Sequence, residues 1–240
     1  MRMPKSLCEH CLHRKEIVSG KGSRFLLCRL SQTDRRFQKY PPQPIARCIG
    51  YESMKEHGPW RIVESHGIYR DAWVDLRKDD VIRPDGEPGT YAVVNLKPGV
   101  CVLAMDEEQN VYLTKEFHYG VGRVTIEAVS GGIESGEDAL LTAQRELQEE
   151  LGIRAGDWLD LGTVDPFTAS VVSPTRLYLA RNLEFGDHAQ EGTETIACVR
   201  MPLADAVQKA LDSEISHGPS CVLLFKVQML LTREPDVDPS

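Results

Sequence analysis

Three glutamates, Glu146, Glu149 and Glu150, lie within five positions of one another in GGIESGEDALLTAQRELQEELGI, residues 131–153. In a helix turning about 100° per residue they share about 100° of arc, while Leu140, Leu147 and Leu151 gather on another side. Like charges this close destabilise a helix unless a positive charge sits among them. That charge is expected from outside the sequence, from a metal, a partner or solvent. Gly131, Gly132 and Gly136 stand just ahead, and glycines permit a loop that aims carbonyl oxygens at the same place. Clustered oxygen ligands suit Mg²⁺ or Mn²⁺, which keep waters and share ligands with substrate phosphates. A solvated acidic face explains the charge but not the glycines.

A second group with ligand chemistry lies early in the sequence. CEHCLHRK supplies Cys8 and Cys11 as a Cys-x-x-Cys knuckle, FLLC ends in Cys28, and YPPQPIARC leads through turn-forming residues to Cys48. Four thiols in a segment with little apolar content point to a small fold held by a metal, because such a segment cannot bury a sufficient core. Structural Zn²⁺ on Cys8, Cys11, Cys28 and Cys48 is the expectation; a disulfide pair and coincidence are the plainer readings. His10 and His13 each have the chemistry to replace a thiol. Cys101, Cys198 and Cys221 sit in apolar runs and read as core residues.

Positioning these groups takes two bodies of different character. Residues 1–50 hold 11 Lys and Arg against 3 Asp and Glu, which leaves 17 against 33 of the chain's 28 and 36. The polar stretch ESMKEHGPW separates them into a basic cysteine domain, 1–57, and a larger domain, 58–240. In the larger one, GIYRDAWVDLRKDDVIRPDG alternates apolar and polar residues up to a Pro-Asp-Gly turn, as the start of an antiparallel hairpin does. TYAVVNL, VCVLAMD, NVYLTKEFHY and RVTIEAV follow as strands rich in Val, Tyr and Thr. Ser135, with Asp138 at the capping-box spacing, predicts a helix from about Gly136, and Gly152 ends it. Further strands fall near DLGTVDPF, TRLYLARNL and TIACVRMP, before helical patterns in LADAVQKALDS and SCVLLFKVQMLLT. The order is α/β with a mixed sheet, not an alternating parallel one. A formal charge of -8 disfavours nucleic-acid binding by the whole chain. No apolar run approaches the ~20 residues of a spanning helix, and no secretory segment is visible, so a cytoplasmic protein with no membrane partner is expected.

Gly131, five residues, Glu137, seven residues and then RELQEELGI reproduce every defined position of the Nudix box, and on these residues the chain resembles the Nudix hydrolases. The resemblance implies an α/β/α sandwich around a mixed sheet and metal-dependent hydrolysis of a nucleoside diphosphate linked to another moiety. It also implies that Glu146, Glu149, Glu150 and the backbone carbonyl of Ser130 hold the metal. Glu137 and Arg145 become a structural pair from loop to helix, or a surface ion pair of little value if both are exposed. Over most of residues 60–232 the chain is similar to ADP-ribose and ADP-sugar pyrophosphatases, through IYRDAWVDLRKDDVIRPDG, EFHYGVGRVTIEAVSGGIE and an acidic stretch before MPLADAV. That similarity implies a nucleotide-sugar substrate, a homodimer through strands near residues 63–95, and a downstream acidic residue that binds metal or activates water. Glu194 fits the downstream position best and Glu191 second; either is otherwise a loop carboxylate. His118 stands where this group often has arginine, and PFTASVVSPTR lacks the glycine-rich acidic loop often found there.

Phosphoryl-transfer physics then assigns the work: metal held by Glu146, Glu149 and Glu150 neutralises a diphosphate and acidifies water, and a downstream glutamate, Glu194 first by the resemblance and Glu191 second, takes the proton. Around them, Phe117 and Tyr119 either stack on a base or sugar or pack within the sheet, and His118 is a substrate contact. Arg123 binds phosphate or bridges to an acidic neighbour. Two rival readings remain: a non-catalytic nucleotide-sensing module, and a Nudix hydrolase of dinucleotides, triphosphates or RNA 5′ ends. In either, the basic and aromatic DRRFQKYPPQP contacts nucleic acid or protein, or is a solvated face.

Overall fold

The computed structural model describes residues 6–186 and 196–232 and divides into two compact units, residues 1–69 with 76–93 and residues 70–75 with 94–240. The first unit opens with a 3-10 turn at Leu7–His10, capped by Ser6, and an antiparallel hairpin of β1 (Arg14–Val18) and β2 (Arg24–Cys28). Before Trp60, Cys11, Leu27 and Met54 are the buried apolar residues among those described. So small a core agrees with the low apolar content of the segment. Next come β3 (Lys55–His57), β4 (Trp60–Arg70), β5 (Val74–Ile82) and β6 (Pro88–Leu96), neighbours in that order in one sheet. The Pro-Asp-Gly turn between β5 and β6 closes with Gly86 N–H donating to the Arg83 carbonyl at 2.9 Å, and Gly86 adopts φ +89°, which favours glycine.

The second unit holds a seven-stranded mixed sheet. Its strands are β7 (Gly99–Met105), β8 (Asn110–His118), β9 (Arg123–Glu127), β10 (Val129–Gly132), and, after helix α1 (Ala139–Leu151), β11 (Ile153–Val164), β13 (Thr175–Phe185) and β14 (Ala197–Pro202). The short β12 (Val171–Val172) pairs instead with Val94 and Asn95 of β6, in parallel. Helices α2 (Leu203–Leu211) and α3 (Gly218–Leu231) complete the unit. The path through the main sheet runs β11-β13-β7-β8-β14, with β10 paired to β7 and β9 to β8; β13 and β7 are parallel and the other pairings antiparallel.

Strand β7 is buried on both faces, and its alternation divides the core. Val100, Val102 and Ala104 pack with Leu147 and Leu151 of α1; Cys101, Leu103 and Met105 pack with Leu223, Leu224 and Val227 of α3. Helices on both faces of a mixed sheet make the α/β/α sandwich. A leucine as fully buried as Leu147 contributes about 2–3 kcal/mol.

Two local expectations are corrected. Helix α1 starts at Ala139, with Asp138 as its N-cap accepting from the N–H groups of Leu140 and Leu141, because Gly136 lies at φ +85° and cannot continue a helix. Gly152 ends it at φ +66°. Cys198 is exposed instead of buried, and Cys221 is half-buried, while Cys101 is fully buried. On the edge strand β14 the inward positions are those of Val199 and Met201, which turns Cys198 outward.

Candidate active site

Helix α1 carries Glu146 and Glu149 on its polar side, and a positive charge from the sequence itself stands between them. Arg145 Nη1 lies 2.9 Å from Glu146 Oε1 and 3.0 Å from Glu149 Oε2, while its Nε reaches Glu137 Oε1 at 3.2 Å. The expectation that no cation of the chain sits among these carboxylates is therefore corrected: Glu149 lies at i+4 from Arg145 on the same helix face, and the long guanidinium also reaches Glu146 at i+1. The Arg145 bond, with the Glu134 N–H second, holds the Glu137 carboxyl down at about 2. Burial pushes Glu146 above the ordinary carboxylate range, against the pull of Arg145. The burial has a visible cause, since a side chain at Gly131 would occupy the space of the Glu146 carboxylate. Gly131 thus lets the helix bring its glutamate onto β10. Ser130, beside it on β10, is half-buried, its hydroxyl donating to the Ala128 carbonyl at 2.9 Å. Glu150 is half-buried and close enough to the Cys101 thiol, which burial pushes up to about 12, to add to that rise.

The β8–β9 hairpin brings together the other sequence-derived candidates. Phe117 and Tyr119 are exposed, Tyr119 almost entirely, so neither is core packing. Arg123 lies opposite His118 in the strand register and donates to Ser216 Oγ at 2.8 Å. His118 Nε2 faces Glu127 Oε1 at 3.4 Å. Sequence reading passed over Glu127 and over His217, whose Nδ1 faces Glu127 Oε2 at 3.2 Å. A carboxylate inside the apolar run TIEAV was the available signal. Glu194 and Glu191 lie outside the described residues.

In the first unit, Cys8, Cys11 and Cys28 line one small cavity with His13, and all four N-terminal cysteines are free. Burial raises the Cys8 thiol above its usual range, and the nearby Cys11 and Cys48 add to the rise. The histidines considered as substitutes have other partners, His10 with Arg61 at 3.0 Å and His13 with Glu52 at 3.1 Å. Among the described residues, Glu64, His66 and Asp80 form the trio of potential ligands whose atoms all lie within 4.8 Å. Neither three of the N-terminal sulfurs nor Glu146, Glu149 and Glu150 together meet that spacing. The Glu64 trio is explained as a cross-strand ion pair, His66 to Asp80 at 3.1 Å, with Lys78 also 3.7 Å from Asp80.

Comparison with known proteins sets this geometry in context. Residues 95–219 match the NUDIX domain, and residues 60–94 match the nucleoside diphosphate sugar hydrolase N-terminal domain. An ADP-ribose pyrophosphatase of Mycobacterium tuberculosis is 34% identical over 187 residues, 75% of this chain and 87% of that protein. An ADP-ribose pyrophosphatase of Bacillus subtilis is 26% identical over 177 residues, 70% and 92% of the two chains. A methanol dehydrogenase activator of Bacillus methanolicus is 24% identical over 173 residues, again 70% and 92%. A solved structure described as an ADP compounds hydrolase shares the fold, with a TM-score of 0.64 at 21% identity over 75% of this chain and 97% of its own.

The Glu137–Arg145 bond has a pH signature. A carboxyl depressed in the folded state contributes stability that is present above its ordinary value of 4.5 and is lost as pH falls toward about 2. Denaturant melts across that window are expected to show a steeper acid loss for the wild type than for Glu137→Gln, whose profile lacks this contribution. Superimposable profiles would remove the pair from the account of stability.

Proposed function

The chain belongs to the NUDIX domain family, and from that premise we propose that it hydrolyses the diphosphate bond of a nucleoside diphosphate derivative, ADP-ribose or an ADP-sugar first, giving AMP and a sugar phosphate. One observation carries the reading: Glu146 and Glu149 converge on Arg145 beside Gly131, with Glu146 held at raised pKa by burial. Carboxylates so placed gain from a small divalent cation, so the donor set fits Mg²⁺ or Mn²⁺. Glu146, Glu149, Glu150 and the Ser130 carbonyl would hold it, and when bound it supplies Lewis acidity toward a diphosphate and a water. Glu194 is the proposed proton acceptor. His118, Phe117, Tyr119 and Arg123 are the proposed substrate contacts, the exposed aromatics supplying stacking surface. The relatives named ADP-ribose pyrophosphatases support the choice of ADP-ribose over triphosphates.

Residues 1–57 are proposed to form a small zinc-stabilised domain and residues 58–240 the hydrolase, which is supported by family matches that begin at residue 60. The donor chemistry of four free thiols suits Zn²⁺, and the shared cavity of three of them supports a common site; ion binding would draw the sulfurs together. Reduced thiols suit a cytoplasmic location. Among the described residues no helix is long and apolar enough to cross a membrane. A homodimer through the strands at 63–95 rests on family resemblance, and a nucleic-acid or protein partner for the N-terminal segment rests on its charge.

With Mg²⁺, a nucleotide panel is expected to show ADP-ribose cleaved to AMP and ribose 5-phosphate faster than any triphosphate. Glu149→Gln and Glu150→Gln should each lower kcat by about 100-fold or more while leaving the melting curve in place. Cleavage of dinucleotides or triphosphates with ADP-ribose untouched would overturn the substrate, and near-wild-type turnover in both variants would overturn the metal site. Elemental analysis of protein purified under reducing conditions should find about one zinc per chain, lost in the Cys8→Ser/Cys11→Ser double variant. Zinc-free wild-type protein would reject the N-terminal assignment. Light scattering of the same samples should return the dimer mass, and a monomer at micromolar concentration counts against the interface.

A further inference from the structure

Glu127 faces two imidazoles at once, and only 13% of its side chain is exposed. Oε1 accepts from the Thr125 hydroxyl at 2.7 Å and faces His118 Nε2 at 3.4 Å; Oε2 faces His217 Nδ1 at 3.2 Å. Hydrogen accounting around the fully buried Ser220 decides how these imidazoles are protonated. Ser220 Oγ accepts the Ala128 N–H at 2.9 Å and lies 2.8 Å from His217 Nδ1. If the hydroxyl donated to His217, a bare Nδ1 would point its lone pair at the Glu127 anion. The arrangement without that repulsion has His217 Nδ1–H donating toward both Ser220 Oγ and Glu127, and the Ser220 proton turned to Cys101 Sγ at 3.9 Å. By the same logic His118 carries its proton on Nε2. Burial, with His118 second among the opposing influences, lowers the His217 pKa against the pull of Glu127, which favours the neutral ring. Arg123, the cation nearest in register, is engaged with Ser216.

We propose that Glu127 and His217 are positioning residues for His118, fixing its ring with Nε2–H inward and Nδ1 outward as a contact for the sugar-phosphate end of the substrate. His118 is 41% exposed, and among the described residues the structure gives its Nδ1 no partner. A carboxylate that orients one imidazole nitrogen decides what the other presents. Here Nδ1 accepts from a sugar hydroxyl when the ring is neutral and donates to a phosphate oxygen when it is charged. The α3 helix supplies the lock, because His217 precedes its first residue and Ser220 lies in its first turn. This rests on the reading of His118 as a substrate contact.

The test separates the two layers. Full-length protein with ¹⁵N-labelled histidine, observed by long-range ¹H–¹⁵N correlation at about pH 8.5, well above the ordinary histidine value, reports each tautomer without substrate. His118 is expected as Nε2–H and His217 as Nδ1–H, the less common form of a free imidazole, with His118→Ala and His217→Gln giving the assignments. Glu127→Gln should abolish both preferences, and His217→Gln serves alone if Glu127→Gln does not fold. In ADP-ribose hydrolysis, His118→Ala, Glu127→Gln and His217→Gln should each raise KM about tenfold with kcat within about twofold. In the His118→Ala background the other two changes should add nothing to KM, as a role exercised through His118 requires. His217 found as Nε2–H, or full additivity of the KM effects, would overturn the positioning role. Expected tautomers with KM unchanged in His118→Ala would overturn the substrate contact instead.

Discussion

The arrangement of the site depends on one close approach, the Glu146 carboxylate lying where any side chain at Gly131 would have to be. Several features are required at once for it. Glycine must stand at 131, β10 must pair with β7 so that Gly131 lies opposite Val100, and α1 must be seated by Ala143, Leu147 and Leu151 against the same strands. The approach removes Glu146 from water, and its pKa rises in consequence. Arg145 offsets part of that cost while bridging Glu149 and Glu137. A carboxylate lifted by burial and steadied by a neighbouring guanidinium gains from a stronger cation, and on the proposed reading this links the packing of one helix to the metal site.

The sheet distributes the rest of the work between its faces. One face of β7 seats the helix that carries the glutamates; the other seats α3, whose start brings His217 and Ser220 to Glu127. Cys101 lies at the junction, fully buried, close to Ser220 and within electrostatic reach of both Glu127 and Glu150. Its thiol, pushed up to about 12, stays protonated and acts as packing with a weak polar contact, not as a nucleophile. The two groups of carboxylates therefore approach the same buried residue from different elements, which is how the proposed site on α1 and the proposed contact on the β8–β9 hairpin come to share one unit.

Most of the fold and half of the site could be read from local pattern. The strands β7 and β8, read from their Val, Tyr and Thr content, the strand at TRLYLARNL, the Pro-Asp-Gly turn with Gly86, and the Gly152 stop are consequences of backbone geometry over a few residues, and they stand where the pattern put them. So do the shared face of Glu146 and Glu149 and the loop-to-helix pair of Glu137 and Arg145. The helix start was misread because Ser135 and Asp138 both suit a cap, and the choice between them turned on Gly136 at φ +85°. Periodicity could not place Cys198 either, since an apolar run does not say which strand ends at a sheet edge. What the sequence determined by itself was chemistry tied to spacing: which residues have acidic, thiol or apolar side chains and which of them share a helix face or strand face. The tertiary structure alone decided that Glu146 is buried against Gly131 of β10, and that His217, 90 residues from Glu127, shares its carboxylate with His118. The physical reason is that spacing acts through the local backbone, whereas burial and ion pairing depend on which elements stack and in what register, and that is settled only when both faces of the sheet are covered.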